Sequence, residues 1–255
     1  MGLLFSGKGR KMAGLLSRLF HRQKEAPIRC AVVVPAAGSS TRMGGKDKIL
    51  LPLGDQPVLA RTLRALELCT HVTEIVVVTR RDLIVPIWQL CRDCGFQKVT
   101  KVVPGGETRT QSVLNGVSEV SKDAELIAIH DGARPLVTQS LLDAVITRAS
   151  QCGAAAPAVP VKDTIKRAKD GVVEATLERS ELFAIQTPQV FQADLIRTAL
   201  TRAVEENAPL TDDCGAVERL GIGVALTQGD YRNLKLTTPE DIAMAEALLE
   251  WEDEA

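Results

Sequence analysis

Aromatic side chains are scarce. Only 3% of the 255 residues are Phe, Trp or Tyr, with a single tyrosine, which excludes the stacking platforms on which proteins hold unpaired bases. An excess of one charge is lacking too: 31 Lys/Arg face 32 Asp/Glu for a formal net charge of -1, so nothing marks a nucleic-acid partner. Six scattered cysteines do not make a disulfide scaffold in a chain of this size. Cys91-Arg92-Asp93-Cys94 has C-x-x-C spacing, but no second pair or histidine cluster completes a zinc site. This cysteine usage implies a reducing cytoplasm. No apolar run is long enough to cross a bilayer, so no stable membrane insertion is expected.

What is present suits one large α/β domain, with 45% hydrophobic and 25% charged residues. Residues 1–29 stand apart. They carry seven Lys/Arg against one acid, Glu25, with Leu15, Leu16, Leu19 and Phe20 on one helical face. The leader lacks an uninterrupted apolar stretch and an A-x-A cleavage pattern, and reads as a poorly ordered, solvated extension. Residues 30–255 then form one domain.

Apolar and amphipathic segments alternate along that domain. Strands are expected at 30–36, 74–79, 98–103, 125–130, 153–160 and 222–227. Helices are expected at 57–69, 83–94, 109–119, 138–151, 192–206, 212–220 and 238–250. The alternation predicts a mostly parallel sheet flanked by helices, with ligands bound beyond the carboxyl ends of the strands. Residues 161–180 break the rhythm as two short strands around Asp170-Gly171, a strong hairpin signal. A lone two-stranded ribbon is marginal in water, so this arm calls for a partner surface, and a second copy of the chain is the natural one.

The chemistry concentrates in loops. Val32-Val33-Val34-Pro35-Ala36-Ala37-Gly38-Ser39-Ser40-Thr41-Arg42-Met43-Gly44-Gly45-Lys46-Asp47-Lys48 runs from an apolar strand into small residues and two cations, Arg42 and Lys48. Small residues let backbone amides approach a phosphate, and the cations supply charge where a triphosphate would sit. The spacing matches neither a Walker P-loop nor a G-x-G-x-x-G dinucleotide turn. Pro104-Gly105-Gly106-Glu107-Thr108-Arg109-Thr110-Gln111-Ser112 is a glycine turn opening a helix, where Ser112 and nearby amides could read a base edge. In Ile127-Ala128-Ile129-His130-Asp131-Gly132-Ala133-Arg134-Pro135, Asp131 could touch a metal–phosphate complex or the ribose. Arg134 could fork onto a phosphate or simply brace the turn. His130 reads as structural. Lys235, a cation inside an apolar strand preceding the last helix, either snorkels or meets an anion.

These residues offer cations, one acid and glycine turns, without a Ser-His-Asp set or a paired general acid and base. Phosphoryl transfer uses such an inventory, because it depends on positioning and charge neutralisation.

The segments V-P-A-A-G-S-S-T-R-M-G, I-H-D-G-A-R-P, P-V-K-D-T-I-K, T-P-Q-V-F and N-L-K-L-T-T-P-E-D, in this order from about Cys30 to Leu249, resemble the 2-C-methyl-D-erythritol 4-phosphate cytidylyltransferases. The resemblance implies a Rossmann-like nucleotidyltransferase fold with a protruding β-arm and a homodimer clasped through that arm. It implies transfer of CMP from CTP to 2-C-methyl-D-erythritol 4-phosphate with Mg²⁺, in non-mevalonate isoprenoid synthesis. Arg42 and Lys48 would stabilise charge on the α-phosphate; Arg179 and Lys235 would position the acceptor, assisted by Thr164 and Arg134. Thr164 and Arg179, on the arm, would complete the neighbouring subunit's site. Ala36, Ala37, Gly38, Gly106 and Ser112 would hold cytosine and ribose, and Asp131 would assist a metal held mostly by the phosphates of CTP. Two residues depart from the family pattern: Asp47 stands where Pro often precedes the lysine, and Glu107 where a shorter Asp is often found. A cytidylyltransferase for another polyol phosphate, such as ribitol 5-phosphate, is the alternative within the class; a catalytically silent nucleotide-binding protein is the alternative outside it.

Overall fold

The computed structural model describes residues 28–38 and 47–253; Arg42 and the basic leader up to residue 27 lie outside them. The central strand is β1 (Cys30–Pro35). It pairs in parallel with β4 (Val72–Thr79) on one side and β6 (Leu126–Ile129) on the other, and β5 (Val99–Pro104) extends the sheet beyond β4. A small ribbon, β2 (Pro52–Leu53) with β3 (Gln56–Pro57), lies between β1 and β4 in sequence. Because successive strand residues face opposite ways, β1 feeds two cores. Val32 and Val34 join Leu59, Leu63 and Leu66 of α1 (Val58–Leu68) and Leu142 and Ile146 of α4 (Gln139–Cys152). Ala31 and Val33 face Val113 and Val117 of α3 (Arg109–Glu119) and Ile196 and Leu200 of α5 (Ala193–Glu205). Helix α2 (Ile84–Asp93) belongs to the first layer. Burial on both faces explains why β1 is apolar throughout, and each valine so buried stabilises the fold by roughly 1.5–3 kcal/mol.

The far half of the sheet is mixed. Strand β7 (Ala154–Pro160) does not pair with β6; β11 (Gln189–Gln192) lies antiparallel between them. β10 (Phe183–Ile185) runs antiparallel along the end of β7, and β12 (Ala225–Gln228) lies parallel to β7. The expected mostly parallel α/β sheet is therefore present with an antiparallel insertion. The two inserted strands were not expected, because they are only three and four residues long and Pro188 and glutamines interrupt their apolar pattern.

The arm is the expected hairpin, β8 (Lys166–Lys169) with β9 (Val172–Thr176). Asp170 and Gly171 both take positive φ, 51° and 79°, as a two-residue turn matched to strand twist demands. Helix α6 spans only Cys214–Glu218, shorter than the 212–220 expected, and α7 is Pro239–Asp253.

Candidate active site

Three loops leave the carboxyl ends of β1, β5 and β6 on the same edge of the sheet and are laced together there. Ala36 N donates to Val78 O at 2.7 Å, Gly105 N to Thr79 O at 2.8 Å, and Gly132 N to Pro35 O at 3.2 Å. Between them lies a cavity of about 410 Å³. Ala36, Ala37 and Gly38 form one wall and Gly106, Glu107, Thr108, Arg109 and Ser112 another. Asp131, Lys48 and Lys235 also line the cavity.

The small residues set the cavity's shape. A Cβ on Gly106 would come within 2.6 Å of Gln111 Cβ, and one on Gly105 within 2.8 Å of Ser112 Oγ. Thr108 caps α3 reciprocally with Gln111, and Gly106 N donates to Ser112 Oγ at 3.0 Å. The turn is thereby fixed with the amino end of α3, the positive end of its dipole, beside the cavity.

Asp131 is the electrostatic centre. Its carboxylate meets Lys235 Nζ at 2.9 Å, Arg134 Nε at 3.5 Å and Arg109 Nη2 at 4.0 Å. Burial pushes its pKa up, but Lys235, Arg109 and Arg134 together outweigh burial and hold it below the usual carboxylate range. Arg109 also grips Asp213 with both arms of its fork, at 2.9 and 2.6 Å. Burial pushes the fully enclosed Asp213 up, against the pull of Arg109. The 212–214 turn is held in turn by β11: Gln189 Oε1 accepts from Asp213 N and Cys214 N, and Gln189 Nε2 donates to Asp212 Oδ2.

His130 is structural, as expected. Asp131 N donates to Thr187 Oγ1 at 3.1 Å, leaving that hydroxyl to donate to His130 Nδ1 at 3.0 Å; His130 Nε2–H then reaches Arg134 O at 3.3 Å. Burial keeps this imidazole neutral, with its pKa pushed down to about 4.

Lys235 does not sit in a strand. Residues 234–237 are a loop, because their backbone bonds go to other loops: Leu236 N donates to Ala133 O at 2.8 Å, and Asn233 O accepts from Arg134 Nη1 at 2.6 Å. Arg134 is therefore buried under the site, bracing the Lys235 loop rather than lining the cavity. Thr164 and Arg179 are exposed and also absent from the cavity wall; Arg179 Nη1 donates to Lys162 O at 2.9 Å. Asp47 makes no cavity contact, its carboxylate being taken up by Arg80. Arg109 and Asp213 were missed in the sequence, although Arg109 stands inside a glycine turn already singled out. Its partner lies 104 residues away.

A family model for 2-C-methyl-D-erythritol 4-phosphate cytidylyltransferase (IspD) matches residues 30–251. The chain belongs to this cytidylyltransferase family. Among curated relatives, the 2-C-methyl-D-erythritol 4-phosphate cytidylyltransferase of Desulforamulus reducens is 47% identical over 220 residues, covering 85% of this chain and 94% of the relative. That of Caldanaerobacter subterraneus subsp. tengcongensis is 45% identical over 229 residues, covering 87% and 99%. The structure of 4-diphosphocytidyl-2C-methyl-D-erythritol synthase from Anaerococcus prevotii superposes with a TM-score of 0.78 at 29% identity, covering 88% of this chain and all of that one. The Thermus thermophilus cytidylyltransferase gives 0.72 at 30% identity, covering 86% and 98%. The cavity of this cytidylyltransferase-family chain lies where open α/β sheets take their ligands. Among the described residues, no helix is long and apolar enough to cross a membrane.

Proposed function

We propose that this chain transfers the cytidylyl group of CTP to 2-C-methyl-D-erythritol 4-phosphate and releases pyrophosphate, a step in making isoprenoid precursors. The observation that carries the reading is the cavity itself: cations and a helix amino end converge on a space walled by small residues. An oxygen of the acceptor phosphate attacks the α-phosphorus, a P–O bond forms, the bond from the α-phosphorus to the bridging oxygen breaks, and pyrophosphate departs with the electron pair. That nucleophile is already ionised, so no general base is needed; repulsion between anions is the obstacle, and cations offset it.

Lys48, on the cavity wall, stabilises the α-phosphate as charge builds, with Arg42 in the same role. Ala36, Ala37, Gly38, Gly106 and Ser112 hold cytosine and ribose against the backbone. Lys235, aligned by Asp131, meets the acceptor phosphate, and Arg134 keeps the Lys235 loop in place. Arg179 and Thr164 reach the site of a second subunit, so the working enzyme is a homodimer; exposed Val172, Val173 and Phe183 on and beside the arm support that. Six unbridged thiols support a cytoplasmic setting.

Among the described residues, no group of three or more His, Cys, Asp or Glu could hold a metal. Asp131 would serve as the protein oxygen for a magnesium ion arriving on the triphosphate once the phosphates draw off the Lys235 ammonium that now pairs with it. When bound, such an ion neutralises phosphate charge.

The test is pyrophosphate release by the purified protein with CTP and Mg²⁺, comparing 2-C-methyl-D-erythritol 4-phosphate with ribitol 5-phosphate. Release with the former is expected. Release with ribitol phosphate alone would keep the chemistry and overturn the acceptor; silence with both would overturn the enzyme reading.

A further inference from the structure

Lys48 opens a short 3-10 helix, Lys48–Leu50, whose preceding residue is Asp47. An aspartate there ordinarily caps its own helix, but the Asp47 side chain makes no capping bond. Both of its oxygens go to Arg80: Nη1 to Oδ1 at 2.5 Å and Nη2 to Oδ2 at 2.9 Å. Arg80 is the first residue beyond β4, and its other edge is held by Asp82, Nε to Oδ1 at 3.2 Å and Nη2 to Oδ2 at 2.9 Å. A guanidinium gripped on both edges has one orientation, and the fork transmits that orientation to the carboxylate as a lysine could not. The Asp47 and Arg80 side chains are 25% and 33% exposed, so the pair is partly shielded from solvent. Arg80 does not line the cavity. Anything it does for catalysis passes through Asp47.

We propose that Arg80 is a positioning residue for nucleotidyl transfer: through Asp47 it fixes the backbone that aims Lys48 into the cavity, and it offsets the carboxylate beside that lysine. Without Arg80, Asp47 would compete with the α-phosphate for the Lys48 ammonium and add its own repulsion to the triphosphate. The inference rests on Lys48 acting on the α-phosphate. It also explains how this chain accommodates an acid in a place where the family often has proline.

The experiment is a double-mutant cycle in steady-state kinetics on the full chain with CTP, Mg²⁺ and 2-C-methyl-D-erythritol 4-phosphate. Arg80→Ala is expected to lower kcat roughly tenfold, with a small change in KM for the acceptor, as a displaced catalytic group does. Part of that loss should return at higher ionic strength, relative to the wild type, because an uncovered carboxylate is screened. In an Asp47→Ala background, Arg80→Ala should cost nothing further. Equal losses in both backgrounds, or an unchanged kcat, would overturn the proposal. If Arg80→Ala does not fold, Arg80→Lys closes the same cycle. Lys48→Ala separates the two ideas. If it leaves turnover intact, the role of Lys48 fails; if it removes turnover while Arg80→Ala matches the wild type, only the role of Arg80 fails.

Discussion

Charged groups in the cavity find their partners within one chain, whereas the arm turns its side chains outward. Asp131 is 8% exposed and lies among three cations; Val172 and Val173 on the arm are 68% and 57% exposed. The two regions are stabilised in different ways. The cavity rests on buried pairs that are costly to break from one side, and the arm on a tight turn and, under the proposed assembly, on the surface of a second chain. Disturbing the first should unsettle the whole domain; disturbing the second should leave a folded chain with an altered assembly.

The strongest way to break the comparison is Arg109→Ala. It strands the enclosed carboxylate of Asp213; removing one member of a fully buried ion pair costs about 3–5 kcal/mol, and because Arg109 is 35% exposed the loss should fall toward the lower end of that range. Urea unfolding should show that drop; a loss below about 1 kcal/mol would mean that water reaches Asp213 and the cavity is not the rigid half.

His130 tests the same half through pH. With a folded-state pKa of about 4 against an ordinary 6.5, the unfolded chain takes up a proton in that window and the folded chain does not. Stability is therefore highest above the upper value and falls as pH drops through the window, by about 3 kcal/mol in all. His130→Gln should flatten this part of the unfolding profile. A variant whose slope matches the wild type would show that His130 titrates normally.

Lys48→Ala sharpens the contrast between binding and chemistry. Turnover should fall about 10²-fold or more while CTP binding is largely kept, measured as kcat beside calorimetric affinity. Equal losses in both would make Lys48 a ground-state ligand.

Mixing Lys48→Ala chains with Arg179→Ala chains tests whether the arm serves a neighbour. Each heterodimer would then own one intact site, and activity should recover in part. No recovery in verified heterodimers would confine each site to one chain.

The smallest effect is expected from Val173→Ser. Within a single chain an exposed position changes stability by no more than about 0.5 kcal/mol, whereas the proposed dimer should weaken, visible as concentration-dependent sedimentation. A large loss of stability in dilute protein would mean that the arm packs onto its own domain.

The regions also differ in how openly the sequence declares them. Strand β1, the helices around it and the Asp170-Gly171 turn follow from local pattern, since two-sided burial produces apolar runs and a twisted hairpin needs positive φ. The segments that become the cavity walls were visible as glycine turns after strands. What was not visible depends on pairing at a distance: Arg109 with Asp213, Asp47 with Arg80, and the Lys235 loop with Ala133 and Arg134. No local spacing encodes those partners. Lys235 looked like part of a strand because its neighbours, Leu234 and Leu236, are apolar, but their backbone serves loop-to-loop bonds instead.

The antiparallel insertion of β11 has a consequence for the order of events on the ribosome. Strands β6 and β7 both emerge before it; β6 waits for residues 189–192 to fill its free edge, and β7 waits for those residues together with β10 and, later still, β12. Until those residues leave the exit tunnel, the arm has already been made while the two halves of the sheet remain apart, with open edges of the sort that invite pairing with another nascent chain. The sheet therefore keeps an open strand edge from the end of β7 until β12 has been made.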